Sequence, residues 1–423
     1  MAMLRRKTVC PRMPGLETSQ IREDHVITPV LPTYARAPIA LERGEGAHVV
    51  DTQGRRYLDF GSGIAVNALG HAHPVLVKVL TEQAQKLWHT SNLYRVPAQE
   101  RLAERLVELT FADTVFFSNS GAEALECAIK MARKYHAHLG APQRYRLITF
   151  EGAFHGRTLA TIAAGGQKKY LDGFGPKVDG FDQVAFCDLD AVRAAIGPET
   201  AGILIEPIQG EGGVRVVEPQ KMRALREICD ANGMLLILDE VQSGMGRTGK
   251  LFAHEWSGIT PDIMAVSKAL GGGFPVAACL ATEKAAAGMT AGTHGSTFGG
   301  NPLAMEVAKA AVDLIADPAL LDHVVRISNY LQQQLQMVRD RNGAIIEEVR
   351  GQGLLLGLKC RVLNSTLVEA LRERGLLAVG AGDNVVRILP PLIINEEDVR
   401  EAIGILNDAC ASLAVQTPKE AAK

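Results

Sequence analysis

The chain has 423 residues, 47% hydrophobic and 22% charged, with 45 basic against 47 acidic side chains and a formal net charge of −2. That length allows a large core and more than one domain, and the near-even charge balance argues against a broad polyanion-binding surface and so against a nucleic-acid partner. No apolar run approaches the roughly 18 residues of a membrane-spanning helix, and seven cysteines scattered singly suggest neither zinc nor a disulfide framework; the chain reads as cytoplasmic.

Met1 to Arg12 is basic and free of acids, with Pro11 and Pro14 interrupting any amphipathic helix. It reads as a disordered arm or an over-extended start more readily than as a transit peptide. Short strands are expected at Ala47–Val50 and Arg56–Phe60, around the turn Asp51-Thr52-Gln53-Gly54. His71 and His73, beside Pro74, lack a third partner and are not taken as metal ligands. Helical spacing covers Val75–Trp88 and Pro97–Leu109. Thr114–Phe117 is a strand. Ser120-Gly121-Ala122 then opens a helix whose buried face is Leu125, Ala128, Ile129 and Ala132, with Gly140 as its stop.

Strands and helices alternate from there: Leu147–Phe150, Ile203–Glu206, the helix Gln220–Asn232, Leu235–Asp239, Ile263–Val266 and Val276–Ala281. These strands are apolar throughout, so both faces should be buried in a mainly parallel α/β sheet. After Asn301-Pro302 come long helices, Leu303–Ala316 and Leu320–Arg341. An α+β mixture follows, with strands Leu354–Leu358, Leu376–Val379 and Val385–Ile388 and helices Thr366–Arg374 and Glu396–Leu413. The polar tail from Gln416 is expected to fray.

The chemistry gathers between Leu235 and Gly273. A buried strand delivers Asp239 at its C-terminal end, the edge on which α/β sheets bind ligands. Downstream, Lys268 stands between a short strand and Gly271-Gly272-Gly273. A carboxylate on a ring nitrogen and an amine on an aldehyde would hold a heteroaromatic cofactor, pyridoxal 5′-phosphate, by opposite edges. The amine condenses only when unprotonated, which calls for a desolvated, cation-rich pocket. The helix start at Ser120-Gly121-Ala122 offers free N–H groups to a phosphate. Phe154 could stack on a ring, and Arg157 could clamp a carboxylate. Taken singly, each has an ordinary reading: a surface lysine, a capping aspartate, a plain N-cap, a core phenylalanine, a surface ion pair. Gly244-Met245-Gly246-Arg247-Thr248-Gly249-Lys250 also fits a nucleotide phosphate loop up to its last position. Leu251, however, stands where a hydroxyl must reach magnesium, and the loop follows the Asp-Glu strand instead of preceding it.

Together, Leu238-Asp239-Glu240-Val241-Gln242-Ser243-Gly244, Gly246-Arg247-Thr248-Gly249 and Ser267-Lys268 resemble the class III aminotransferases, from about Pro32 to the C-terminal helix. The resemblance implies the aspartate-aminotransferase-like fold (PLP fold type I), with a seven-stranded-type sheet. Residues 1–30 would be an arm, 31–70 a segment joining the small domain, 71–302 the large cofactor-binding domain and 303–423 the small one. It implies that Lys268 bonds the cofactor aldehyde and moves the proton, that Asp239 pairs with the ring nitrogen, and that Gln242 meets the ring hydroxyl. Glu240 and Val241 would join the cofactor shell, Gly121 and Ala122 would hold the phosphate with Ser120 nearby, and Phe154 would stack. Thr297 would reach the phosphate of a neighbouring subunit, which implies a homodimer with shared sites. Arg387 would bind the α-carboxylate of glutamate, Glu211 would mask that arginine when a ω-amine donor is bound, and Arg157 would grip the far carboxylate or the donor's own. Ser296 and Tyr34 complete the expected substrate set; no metal is expected. Asn92-Leu93-Tyr94, Pro97-Ala98-Gln99 and His294-Gly295-Ser296-Thr297-Phe298 look most like the members of arginine biosynthesis that use N-acetylornithine with 2-oxoglutarate. Ornithine, succinylornithine, succinyl-diaminopimelate or 4-aminobutyrate are the alternative donors.

Overall fold

The computed structural model describes residues 29–416; the expectations for the basic N-terminus and the polar tail lie outside them. By its contacts the chain divides after Ala40, and from Leu41 onward it forms one unit. That unit opens with a meander of β1 (Leu41–Glu45), β2 (His48–Asp51) and β3 (Arg56–Asp59), turned at the Asp51 carboxylate, which accepts from the Gln53 and Arg55 amides. Helices follow at Pro74–Ala84 and Pro97–Leu109, both with proline in the first turn, where no backbone N–H is needed.

A seven-stranded sheet forms the centre. Its strands are β4 (Thr114–Ser118), β5 (Arg146–Phe150), β6 (Phe181–Val184), β7 (Thr200–Ile205), β10 (Leu235–Asp239), β11 (Ile263–Val266) and β12 (Ala277–Ala281). The short ladder β8 (Ile208–Gln209) with β9 (Arg215–Val216) sits between β7 and β10 in sequence. The order across the sheet is β4-β12-β11-β10-β7-β5-β6, and β12 runs antiparallel to both its neighbours while the others run parallel. The strand alternation divides the core in two. Leu235, Ile237, Ile263, Ala265 and Cys279 face the helix Gly121–His138. Leu236, Leu238, Met264, Val266 and Leu280 belong to the larger cluster, with the helices Pro97–Leu109, Pro219–Ala231 and Pro302–Ile315. Both faces are therefore dry, as the unbroken apolar runs require.

After the long helix Pro318–Arg341, a second four-stranded sheet has the order β13-β14-β17-β16, from β13 (Ile346–Gln352), β14 (Leu355–Cys360), β16 (Val379–Ala381) and β17 (Val385–Ile388). The single strand expected at Leu376–Val379 is in fact two. β15 (Leu376–Leu377) pairs parallel with β3, and the chain then changes sheets at Ala378 so that β16 pairs with β17. The helix expected to reach Trp88 stops at Ala84, and the Trp88 indole N–H donates back to the Ala84 carbonyl at 2.6 Å.

Candidate functional site

β11, β10, β7 and β5 are consecutive neighbours, and each ends at the same edge of the sheet. Residues just past those ends are therefore brought together although they are far apart in sequence. Lys268 follows β11, Asp239 closes β10, Glu206 follows β7, and Phe154 and His155 follow β5. All of these line one cleft of about 170 Å³, together with Gly121, Ala122, Val241, Gln242 and Glu211.

Lys268 holds a left-handed φ of +47° between an extended Ser267 and the turn closed by Gly272. In a non-glycine residue that costs on the order of 1–3 kcal/mol, a strain characteristic of functional positions. Burial, with the Arg387 cation adding to it, pushes the amine down to about 8, so the free base is accessible near neutrality. Asp239 is buried and pinned on both oxygens: His155 Nδ1 lies 2.8 Å from Oδ2, and the Val241 amide donates to Oδ1 at 3.0 Å. His155 Nε2 is buried without a partner, which assigns the ring proton to Nδ1, where Asp239 accepts it. Glu206 is buried, and that burial, reinforced by the Asp239 charge, holds its carboxyl well above the usual range. Its Oε2 accepts the Phe154 amide at 3.1 Å, which fixes the aromatic residue over the cleft.

The helix start lies at another wall. Ser120 is the N-cap, accepting the Glu123 amide at 3.3 Å and donating its hydroxyl to the Glu123 carboxylate at 3.0 Å. The amides of Gly121 and Ala122 fall in the first turn, where no intrahelical acceptor exists, and they suit a phosphate. A Cβ on Gly121 would meet Val241 Cγ1 at 2.9 Å, so glycine is required for that close approach. Two free amides, a pinned carboxylate, a deprotonatable amine and the apolar Phe154 and Val241 make a donor set that fits pyridoxal phosphate.

Beyond Gln242 lies a charged pair. Arg387, on β17, is buried, and that burial lowers its pKa. It donates to Glu211 Oε2 at 2.8 Å, to the Gly380 carbonyl at 3.2 Å and to Gln242 Oε1 at 3.5 Å. Arg157 is exposed at the rim, its guanidinium 4.0 Å from the centroid of the Tyr170 ring and 5.7 Å from that of Phe154. Cations at two separate places can thus receive the two carboxylates of a dicarboxylic amino acid.

Other expected residues fall elsewhere. Glu240, expected in the cofactor shell, does not line the cleft. It follows Leu236 and Leu238 on the opposite face from Asp239, where its carboxylate accepts the Ala253 and His254 amides at 2.9 and 2.8 Å and the Ser243 hydroxyl at 2.7 Å. Ser296 and Thr297 do not line the cleft. Ser296 borders a separate groove, accepting the Gly299 amide at 3.0 Å, and Thr297 is exposed. Tyr34 lies in the unit before Leu41 and is 76% exposed. The loop resembling a nucleotide site is a packing turn: buried Arg247 donates to the Leu354 carbonyl at 3.3 Å and to that of Pro390, and Lys250 lies over the Trp256 ring. The sequence gives no role to His155 or Tyr170, and it places Glu206 on the ligand-binding edge without a partner. Each sits beside a residue it did select, and only the pairing with Asp239, Phe154 and Glu211 marks them out.

Residues 31–410 match the family model described as Aminotransferase class-III. The acetylornithine aminotransferase of Mesorhizobium japonicum is 60% identical over 391 residues, covering 92% of this chain and 98% of that protein. Among solved structures, the N-acetylornithine aminotransferase of Stenotrophomonas maltophilia superposes with a TM-score of 0.80 at 40% identity, covering 91% of this chain and 98% of that one. The ornithine aminotransferase of Toxoplasma gondii gives 0.88 at 32%, covering 92% and 94%.

Proposed function

The chain belongs to the class-III aminotransferase family, and from that premise we propose that it is an acetylornithine aminotransferase. It moves the terminal amino group of N-acetyl-L-ornithine to 2-oxoglutarate, reversibly, giving N-acetyl-L-glutamate 5-semialdehyde and L-glutamate, in arginine biosynthesis. The identity to the M. japonicum protein supports the amino donor. The observation that carries the chemistry is the shared cleft of Lys268 and Asp239 at the ends of adjacent strands.

Pyridoxal phosphate, when bound, supplies an electron-withdrawing ring that acidifies the C–H beside the amino group. The Gly121 and Ala122 amides would hold its phosphate, Asp239, fixed by His155, would pair with its ring nitrogen, Gln242 would meet its hydroxyl, and Phe154 and Val241 would keep water from the ring. Lys268 Nζ, unprotonated in part at neutral pH, would take the proton from the amino-bearing carbon of the donor and deliver it to the carbon that carried the cofactor's aldehyde. Arg157 receives the donor's carboxylate while Glu211 neutralises Arg387. With glutamate, Arg387 takes the α-carboxylate and Arg157 the distal one. A guanidinium buried without Glu211 or a substrate carboxylate would be an uncompensated charge.

We place the enzyme in the cytoplasm, as its described cysteines, all free and buried, fit a reducing compartment. It works as a homodimer in which Thr297, with Ser296 beside it, reaches the partner's site, and residues 71–302 and 303–423 act as its large and small domains. A competition among N-acetylornithine, ornithine, succinylornithine and 4-aminobutyrate, each with 2-oxoglutarate, should give N-acetylornithine the highest kcat/KM. A higher value for another donor would reassign the substrate. Lys268→Ala should abolish multiple turnover in a folded protein that still takes up cofactor.

A further inference from the structure

Glu211 is held from two sides. Its Oε2 accepts from Arg387, at 2.8 Å. Its other oxygen, Oε1, accepts the Tyr170 hydroxyl at 3.2 Å and lies 3.8 Å from Lys169 Nζ. Lys169 and Tyr170 sit together on the short helix Lys168–Leu171, a different element from β17, which carries Arg387. The Tyr170 ring is packed from several directions: the Arg157 guanidinium is 4.0 Å from its centroid, Lys169 Nζ is 4.5 Å away, and Phe154 meets it edge-on at 5.7 Å.

The exchange of substrates sets a problem that this arrangement answers. When an α-carboxylate claims Arg387, Glu211 loses its closest cation and is left beside a second negative charge. Repulsion and a lost hydrogen bond would both oppose binding. A carboxylate already bridging to a second cation and a hydroxyl can swing toward them without ever being unpaired. Lys169, with 56% of its side chain exposed, is free to follow it, whereas Arg387 is buried to 2%. We infer that Lys169 and Tyr170 are specificity-determining residues: they receive Glu211 when Arg387 is taken, and so set how well glutamate and 2-oxoglutarate bind relative to the ω-amine donor. The inference rests on the roles assigned above to Arg387 and Glu211. Tyr170 has a second part in it, because the ring that offers its hydroxyl to Glu211 also seats Arg157.

The test measures each half-reaction of the holoenzyme separately, from the cofactor's absorbance change with L-glutamate alone and with N-acetylornithine alone. Lys169→Gln and Tyr170→Phe should each weaken the apparent affinity for glutamate by about 3- to 10-fold, the loss of one ion pair or charged hydrogen bond, while N-acetylornithine stays within about twofold. Tyr170→Leu, which also removes the ring under Arg157, should weaken both substrates. Adding Lys169→Gln to Glu211→Ala should change nothing further, because the receiving group then has nothing to receive. The inference is overturned if Lys169→Gln shifts both substrates alike, shifts neither, or acts equally in the Glu211→Ala background. Glu211→Ala alone separates the two levels. If it leaves the ratio of glutamate to N-acetylornithine unchanged, the masking role of Glu211 falls and takes this inference with it; if it alters that ratio and Lys169→Gln does not, only the inference fails.

Discussion

Lys268 joins backbone strain to an altered charge equilibrium. With its amine at about 8 instead of 10.5, roughly a tenth of the side chains are unprotonated at pH 7. Between those two values the unfolded chain holds more protons than the folded one, so unfolding free energy contributed by this residue rises with pH. Below pH 8 the full penalty of burying the cation is present; toward 10.5 it disappears. Cofactor-free protein carrying Lys268→Met should therefore be more stable than the parent at pH 7 in a denaturant titration, with the difference shrinking at pH 10. A gap that widens toward pH 10 would contradict the sign. Burial and the Asp239 charge push the neighbouring carboxyl, Glu206, well above the usual carboxylate range, and Glu206→Gln preserves its shape and an oxygen that can accept the Phe154 amide. Turnover within about fivefold of the parent is expected, by kcat/KM, since the amide oxygen keeps the hydrogen bond from Phe154.

The alternation of β10 settles how two adjacent acids divide their work. Asp239 continues the face of Leu235 and Ile237 into the cleft, whereas Glu240 turns to the other face and ties down the turn Ala253–Ser257. Glu240→Ala strips two buried amides of their acceptor. It should lower unfolding free energy by about 3 kcal/mol or more while leaving the absorbance spectrum of bound cofactor unchanged; a lost spectrum in a folded protein would return Glu240 to the cofactor shell. The long central elements were legible beforehand because an unbroken apolar run such as Leu235–Leu238 or Ile263–Val266 can only be buried. β6, with Asp182 and Gln183 in it at the sheet's edge, carries no such run, and neither does β13, which includes Glu347-Glu348. Both strands exist because a neighbour pairs with them, and that information is not local.

Across the molecule, the loop bearing Ser296 and Thr297 lies among large exposed apolar side chains: Trp88, Leu93, Tyr94 and Phe298 are 65%, 88%, 70% and 61% exposed, and His89 packs on Phe298 at 5.3 Å. Large apolar side chains this exposed are what an interaction surface presents, and they support the homodimer proposed above. Leu93→Asp should move the molecular mass seen by light scattering from dimer to monomer and remove activity together; an active monomer would refute shared sites. The unbroken apolar strands pointed to an α/β sheet because burial constrains residue types locally, while the resemblance of the motifs around Asp239 and Lys268 to the class III aminotransferases implied the type I fold, the cofactor and the reaction. The order of the strands was needed to put His155 on Asp239, Glu206 under Phe154, and Lys169 and Tyr170 beside Glu211. Those partners come from separate elements, and only chain crossovers and side-chain direction bring them within hydrogen-bonding distance.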